Sequence, residues 1–311
     1  MSYRVFIDGS EGTTGLKLME QLSRRKDLEL LTIEEELRKE LGRRLELLEQ
    51  ADITFLCLPD QASRELVQAA DGIGRILDAS TAHRTHPDWV YGMPELCAEQ
   101  RQKIETTARL AIPGCHATGF ILLARPLVEL GIARPDYPFT CHSITGYSGG
   151  GKNMIAAYEA DNRPSEPKSP RQYGLSLHHK HLPEMRTWAL LAHEPVFHPI
   201  VADFYRGMLV TVPLHARSLA RRMNARDLHQ VMIERYQNQP LIQVMDYEEE
   251  PRDGFLAANG MSGSNRLQIF VTGHQDQIAL MARFDNLGKG ASGAGIQCMN
   301  LMLGLPEETG L

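Results

Sequence analysis

The stretch Asp8-Gly9-Ser10-Glu11-Gly12-Thr13-Thr14-Gly15 decides the fold. It follows the first apolar run, Tyr3–Asp8, which reads as a strand, and it opens a helical pattern over Thr13–Lys26. Its glycines fall at intervals of three and three, not the two-then-three spacing of the commonest dinucleotide fingerprint. The physics is shared: glycine permits a tight turn and close backbone approach, and a helix start offers free amides to a pyrophosphate. Placement between a first strand and a first helix gives the turn its meaning, as the opening of a βαβ unit.

The rhythm continues outward from that turn. Leu28–Ile33, Ile53–Leu58, Arg75–Ser80 and Arg109–Ile112 read as further strands, and Asp60–Ala70 as a helix with Asp60 near its N-cap. The unbroken run ITFLCL at 53–58 suits a strand covered on both faces. The class is α/β, with a doubly wound parallel sheet in the first half. The second half changes character. Phe139–Thr145, Met208–Leu214, Leu241–Asp246, Leu267–Thr272 and Ile278–Phe284 read as longer strands around one clear helix, Ala225–Tyr236. This predicts an α+β domain with a mostly antiparallel sheet. Asn162–Gln172, with three prolines, reads as a loop, and the chain is helical again after Gly293.

Composition bounds the partners. The 311 residues suit two domains, and a net charge of −6 excludes a broad nucleic-acid footprint. No apolar run reaches membrane-spanning length, and the N-terminus runs straight into a strand without a signal-peptide pattern. Five cysteines without CxxC spacing fit neither a disulfide framework nor a zinc ribbon, so a cytoplasmic protein with free thiols and no metal is expected. Cys57 and Cys141 sit within strands and Cys97 and Cys298 in helical patterns, where packing explains them. Cys115 differs. It follows the strand end Pro113-Gly114 and stands at or just before a helix, Gly119–Leu130, whose dipole favours thiolate.

At these residues the chain resembles N-acetyl-γ-glutamyl-phosphate reductases, in their shorter subfamily. The resemblance runs in order through GSEGTTG at 9–15, LDASTAHR at 77–84, the Pro-Gly-Cys turn at 113–115, GYSGGGK at 146–152, HKHLPEM at 179–185 and DNLGKGASGAGIQCMNLMLG at 285–304. It implies NADPH-dependent reduction of an acyl phosphate to a semialdehyde in arginine biosynthesis. It also implies a dinucleotide-binding domain over 1–115 and 285–311, a catalytic and dimerisation domain over 116–284, and a homo-oligomer, dimer or tetramer. His116 and His83 stand where the family commonly carries other planar rings, which bears on substrate positioning and pH dependence.

The chemistry needs a nucleophile, a proton donor and an anion clamp. Cys115 supplies the thiolate, which splits one difficult step into two. The acid/base is sought at His179 and His181, two apart and on one face if the segment is extended, with Glu184 placed to orient one of them. The resemblance makes that cluster catalytic, without choosing between the histidines. It also places Arg84 on the substrate phosphate, with His116 and Lys152 beside the substrate. Cofactor contacts are expected from Gly9, Ser10, Glu11, Gly12, Thr13, Thr14 and Gly15, and by resemblance from Ser80, Gly149, Gly150 and Asn286. Glu34, Glu35 and Glu36 suit a ribose hydroxyl, whereas Arg38 and Lys39 suit a 2′-phosphate, and spacing leaves that choice open. Three other readings compete: an aspartate-semialdehyde dehydrogenase-type reductase, a cysteine hydrolase, and a non-catalytic redox-sensing dinucleotide module.

Overall fold

The computed structural model describes residues 2–247 and 254–311. The chain divides into two compact units, Met1–Gly114 with Ala291–Leu311, and Cys115–Gly290.

In the first unit, β1 (Tyr3–Asp8), β2 (Leu28–Leu31), β3 (Ile53–Leu56), β4 (Ile76–Asp78), β5 (Val90–Tyr91) and β6 (Arg109–Ala111) form a parallel sheet in the order β2-β1-β3-β4-β6-β5. Helices α1 (Thr13–Leu22), α2 (Leu41–Gln50), α3 (Asp60–Ala70), α4 (Gln100–Thr106) and the C-terminal Gly293–Met302 complete it. All four residues of β3 are buried, as a strand covered on both faces requires. Val5, Ile7, Ile53 and Phe55 pack with Leu18, Leu22, Ile296 and Met299, while Leu56 and Ile76 pack with Leu48, Leu66 and Trp89. Gly295 lets the C-terminal helix approach the sheet, since a Cβ there would stand 2.9 Å from Ile112 and 3.1 Å from Phe55.

Strand order reverses around β1, so the ends of β1 and β3 frame the crevice where ligands of open α/β sheets bind. The glycine turn lies there. Gly9 has φ +82°, and a Cβ on it would come within 2.5 Å of the Cys57 carbonyl oxygen. A Cβ on Gly15 would come within 2.4 Å of the Gly9 carbonyl oxygen. Gly15→Ala therefore collides backbone against side chain. We expect it to lower the stability of this unit by roughly 2 kcal/mol, read as a fall in the thermal midpoint.

Several boundaries differ from the sequence reading. Helix α1 ends at Leu22 rather than Lys26, because Arg25 turns inward. Its guanidinium donates to Asn300 Oδ1 (2.6 Å) and pairs with Asp27, pinning the C-terminal tail. Helix α3 keeps the expected bounds, with Asp60 its first residue, next to the N-cap Pro59. The Asp60 carboxylate accepts from the Thr81 amide (2.9 Å) and hydroxyl, tying down the turn after β4.

The second unit carries a seven-stranded mixed sheet. Its strands are β7 (Thr140–Gly146), β8 (Arg171–Gln172), β9 (Val196–Ala202), β10 (Met208–His215), β11 (Ile242–Val244), β12 (Leu267–Gly273) and β13 (Gln277–Phe284), in the order β11-β12-β13-β10-β7-β9-β8. Four of its six pairings are antiparallel; β11–β12 and β7–β9 are parallel. Helix α5 (Cys115–Glu129) lies against β10 and β13, so closely that a Cβ on Gly119 would sit 2.6 Å from Val210. Helix α8 (Ala225–Tyr236) starts with a reciprocal capping box between Asn224 and Asp227 and packs on β12. Two short helices, α6 (Gly151–Glu159) and α7 (Leu182–Trp188), and strand β9 lie where the sequence reading has none. Along β13, Ile278, Leu280, Ala282 and Phe284 are buried, while Ala279, Met281 and Arg283 on the opposite face are half-buried.

No helix among the described residues is long and apolar enough to cross a membrane.

Candidate active site

The glycine turn and its surroundings belong to the first unit. Helix α1 has Gly12 as its N-cap, with no side-chain cap and no acidic residue in its first turn, so its leading amides stay available to an anion. The hydroxyl of Thr13 is buried there without a hydrogen-bond partner. A Cβ on Gly12 would meet the Gly9 and Cys57 carbonyl oxygens at 3.5 and 3.7 Å, ordinary contact distances. An uncapped helix start, an orphaned hydroxyl and a bare glycine cradle fit the pyrophosphate of a dinucleotide. Around them, Asp8 is buried and paired with Arg44 (2.8 Å from Nε); burial holds its carboxyl above the usual range although Arg44 opposes this. Glu11 pairs with Arg38, and Glu34 with Arg43 (3.1 Å).

On the turn after β4, buried Asp78 accepts from the Ser80 amide (2.9 Å), the Ser80 hydroxyl (2.7 Å) and His83 Nδ1 (2.6 Å). The His83 ring stacks on Trp89 at 4.1 Å. Arg84, expected on substrate phosphate, is buried. Its Nε and Nη2 donate to the carbonyls of Ile112 (2.9 Å) and Ala79 (3.0 Å). In this arrangement it braces the strand ends that precede Pro113-Gly114.

The second unit opens with the cysteine. Cys115 is the first residue of α5, a half-buried thiol at the positive end of a 15-residue helix with no acidic side chain in its first turn. Three of the other thiols differ. Burial, then Asp78 and Asp8, push Cys57 up to about 12; burial alone pushes Cys141 higher; Cys298 is buried. Opposite side chains gather around the start of α5. The rings of His179 and His181 meet edge to face at 4.8 Å, and each lies 5.5 Å from the ring of His116.

This juxtaposition comes from a turn, not from the extended segment the spacing suggests. Leu182 N–H donates to the His179 carbonyl (3.0 Å), and His181 leads into α7, with Pro183 in its first turn. His179 Nδ1 accepts the His181 amide at 3.1 Å, which leaves the neutral ring's proton on Nε2. Glu184 is buried, with Oε1 4.0 Å from His181 Nε2. His116, expected at the substrate, is buried with both nitrogens engaged: Nδ1 with the Ser143 hydroxyl (2.7 Å) and Nε2 with the Tyr173 hydroxyl (2.8 Å). Burial first, then the charges of His179 and Lys180, push it down to about 3, so it stays neutral.

A second constellation surrounds Asn286, which is buried. Its Oδ1 accepts the Gly207 amide (2.8 Å), and its Nδ2 donates to the Ser148 hydroxyl (3.0 Å), beside Gly149. A Cβ on Gly150 would strike Met154 at 2.4 Å, within the turn that leads into α6, where Lys152 is exposed. Next to Asn286, Asp285 accepts the amides of Gly263 (2.6 Å) and Leu287 (2.9 Å) and faces Arg206. The segment so held brings Gly290 against Cys115, where a Cβ would sit 2.9 Å from the cysteine Cβ. Ser143 and Tyr173 escaped the sequence reading, and Asp285 entered it only as the first residue of the motif at 285–304. Tyr173, six residues before His179, carries no motif signal of its own. No group of three or more His, Cys, Asp or Glu among the described residues could hold a metal ion.

Comparison with known proteins agrees with both halves. Residues 4–104 match the model described as semialdehyde dehydrogenase, NAD binding domain, and residues 115–286 the model described as semialdehyde dehydrogenase, dimerisation domain. The chain is similar to a Rhizobium meliloti protein named N-acetyl-gamma-glutamyl-phosphate reductase, 44% identical over 97% of this chain and 99% of that one. It is also similar to N-acetyl-gamma-glutamyl-phosphate reductase 2 of a Nostoc species, 43% identical over 99% of both chains. The fold matches a solved aspartate semialdehyde dehydrogenase from Francisella tularensis with a TM-score of 0.71, at 14% identity over 97% of this chain and 100% of that one.

Proposed function

The chain belongs to the semialdehyde dehydrogenase family, an oxidoreductase family with a nicotinamide-dinucleotide domain, and from that premise we propose that it is an N-acetyl-γ-glutamyl-phosphate reductase of arginine biosynthesis. The observation that carries the chemistry is Cys115 at the start of α5, with the His179–His181 pair and Glu184 gathered at the same helix end. The Cys115 thiolate attacks the γ-acyl carbon. The carbon–sulfur bond forms, the acyl–oxygen bond breaks, and phosphate leaves. The amides of Thr13 and Thr14, the Thr13 hydroxyl, Ser10 and the turn glycines Gly9, Gly12 and Gly15 would hold a dinucleotide, which would supply the hydride. The tetrahedral adduct collapses to the semialdehyde as a proton reaches the departing sulfur.

The two histidines are unequal donors. Protonating His179 on Nδ1 would set a new N–H against the His181 amide that this nitrogen accepts, so His179 suits a fixed hydrogen-bond donor. His181, beside the buried Glu184, gains support for its imidazolium and is the proton carrier we favour. The test runs the reaction backwards, with phosphate, NADP and either N-acetylglutamate semialdehyde or aspartate semialdehyde. Turnover of the acetylated aldehyde alone is expected. Preference for the free amine would overturn the substrate.

NADP rather than NAD is favoured by Arg38. It pairs with Glu11 of the glycine turn and can exchange that carboxylate for a 2′-phosphate, whereas Glu34 is occupied by Arg43. Arg38→Ala should raise the KM for NADP about tenfold and leave that for NAD within about twofold, the size of one lost charged contact. The half-buried second face of the seven-stranded sheet, in a domain whose family description is dimerisation, supports a dimer or tetramer. A thiolate nucleophile in turn supports a reducing, cytoplasmic setting.

A further inference from the structure

We propose, resting on the reading that this domain assembles through the uncovered face of its seven-stranded sheet, that His142 and His198 form a proton-operated release on that face. Two copies of the chain stay together while the pair is neutral and part when it is protonated. The pair is built by register. Strands β7 and β9 run parallel with His142 directly opposite His198. Their rings stack at 5.4 Å between centroids, with 18° between planes. Helix α5 covers the other face, where Gly119 meets Val210 and Phe284, so alternation along β7 and β9 sends both histidines away from that helix. His142 is exposed and His198 half-buried. Ile144, Ile200, Pro213, Ala279 and Met281 share their face and give it an apolar surround. The occupant is a second copy, in keeping with the dimerisation domain that residues 115–286 match.

The face also lacks a counter-charge. No aspartate or glutamate lies in any of the seven described strands, so a proton gained by the pair finds no carboxylate beside it in the sheet. The β10 residue opposite His142 is Thr211, and from β8 Gln172 Nε2 donates to His198 Nδ1 (2.8 Å). Neither neighbour titrates. The other ionisable groups on this face are His215, at the end of β10, and Arg283 on β13, which donates to Gln268 Oε1 (2.7 Å). Any charge they add is positive. Partial burial, then the neighbouring His198, already hold His142 below the ordinary histidine value. Covering the face with a second copy takes water from both rings and favours the neutral form further. Association is therefore strongest above the histidine range and weakens as pH falls through it.

The test reads assembly, not turnover. The full chain is followed by fluorescence-detected sedimentation over a dilution series, between about pH 7.5 and about pH 5. Wild type should be assembled at the higher pH, and its dissociation constant should rise about 10²-fold at the lower, one proton per pair. His142→Gln/His198→Gln keeps polar side chains without a titrating ring and should change by less than about threefold. His142→Thr/His198→Thr repeats the comparison with residues that suit a strand. If wild type and both double variants weaken in parallel, or if wild type stays assembled at the lower pH throughout the series, the release is overturned and the assembly stands. A wild type that is monomeric at the higher pH overturns the assembly itself.

Discussion

Replacing Cys115 by alanine is expected to lower kcat/KM by at least about 10⁴-fold in either direction, while dinucleotide binding persists within about threefold. The reason is positional. The sulfur is the only nucleophile standing at the start of α5 among the described residues, and the histidines gathered there have proton-donor chemistry, not acyl-accepting chemistry. The glycine turn belongs to the other unit and does not depend on the thiol, so fluorescence titration with NADPH should still saturate. Serine restores the shape but not a nucleophile ionised near neutral pH, so Cys115→Ser should recover little. Cys57→Ser and Cys141→Ala serve as controls. Both thiols are held protonated by burial and should leave turnover within about threefold. Turnover by Cys115→Ala above that limit would remove the covalent mechanism.

Much of this site was legible because its residues lie in local patterns. The glycine turn needs a strand before it and a helix after it, and both sit within fifteen residues of it. Cys115 needs only a strand end and a helix start, also adjacent in sequence. What stayed hidden depends on distant partners. The charged run after Leu22 reads as helix, yet Arg25 leaves it to hold Asn300, 275 residues away. Strand β9 is interrupted in pattern by Pro199, and its place between β7 and β8 is set by pairing rather than propensity. The sequence reading has no helix after Gly149 and Gly150, although Gly151 starts α6. Arg84 and His116 carry the right chemistry for a substrate contact, and the structure adds partners that no local pattern announces: carbonyls for Arg84, a serine and a tyrosine for His116. Residue type suggests a role, and the packed partners decide which atoms remain available for it.

That distinction sharpens the choice between the paired histidines into a measurable split. His181→Asn should cost about 10²–10³-fold in kcat and remove the limb of the pH–rate profile that belongs to the acid/base, because proton transfer by a positioned side chain typically contributes that much. His179→Asn should cost less, about tenfold, and keep the limb, because asparagine can still present a donor where Nε2–H stood. Glu184→Gln gives the third comparison. The carboxylate sits 4.0 Å from His181 Nε2 and helps orient that ring, so its loss should lower kcat about tenfold and leave dinucleotide binding unchanged. If His179→Asn loses the limb and His181→Asn keeps it, the assignments exchange. The hydrogen bond from the His181 amide to His179 Nδ1 must then break during turnover, because that nitrogen cannot accept the amide and carry a proton at once.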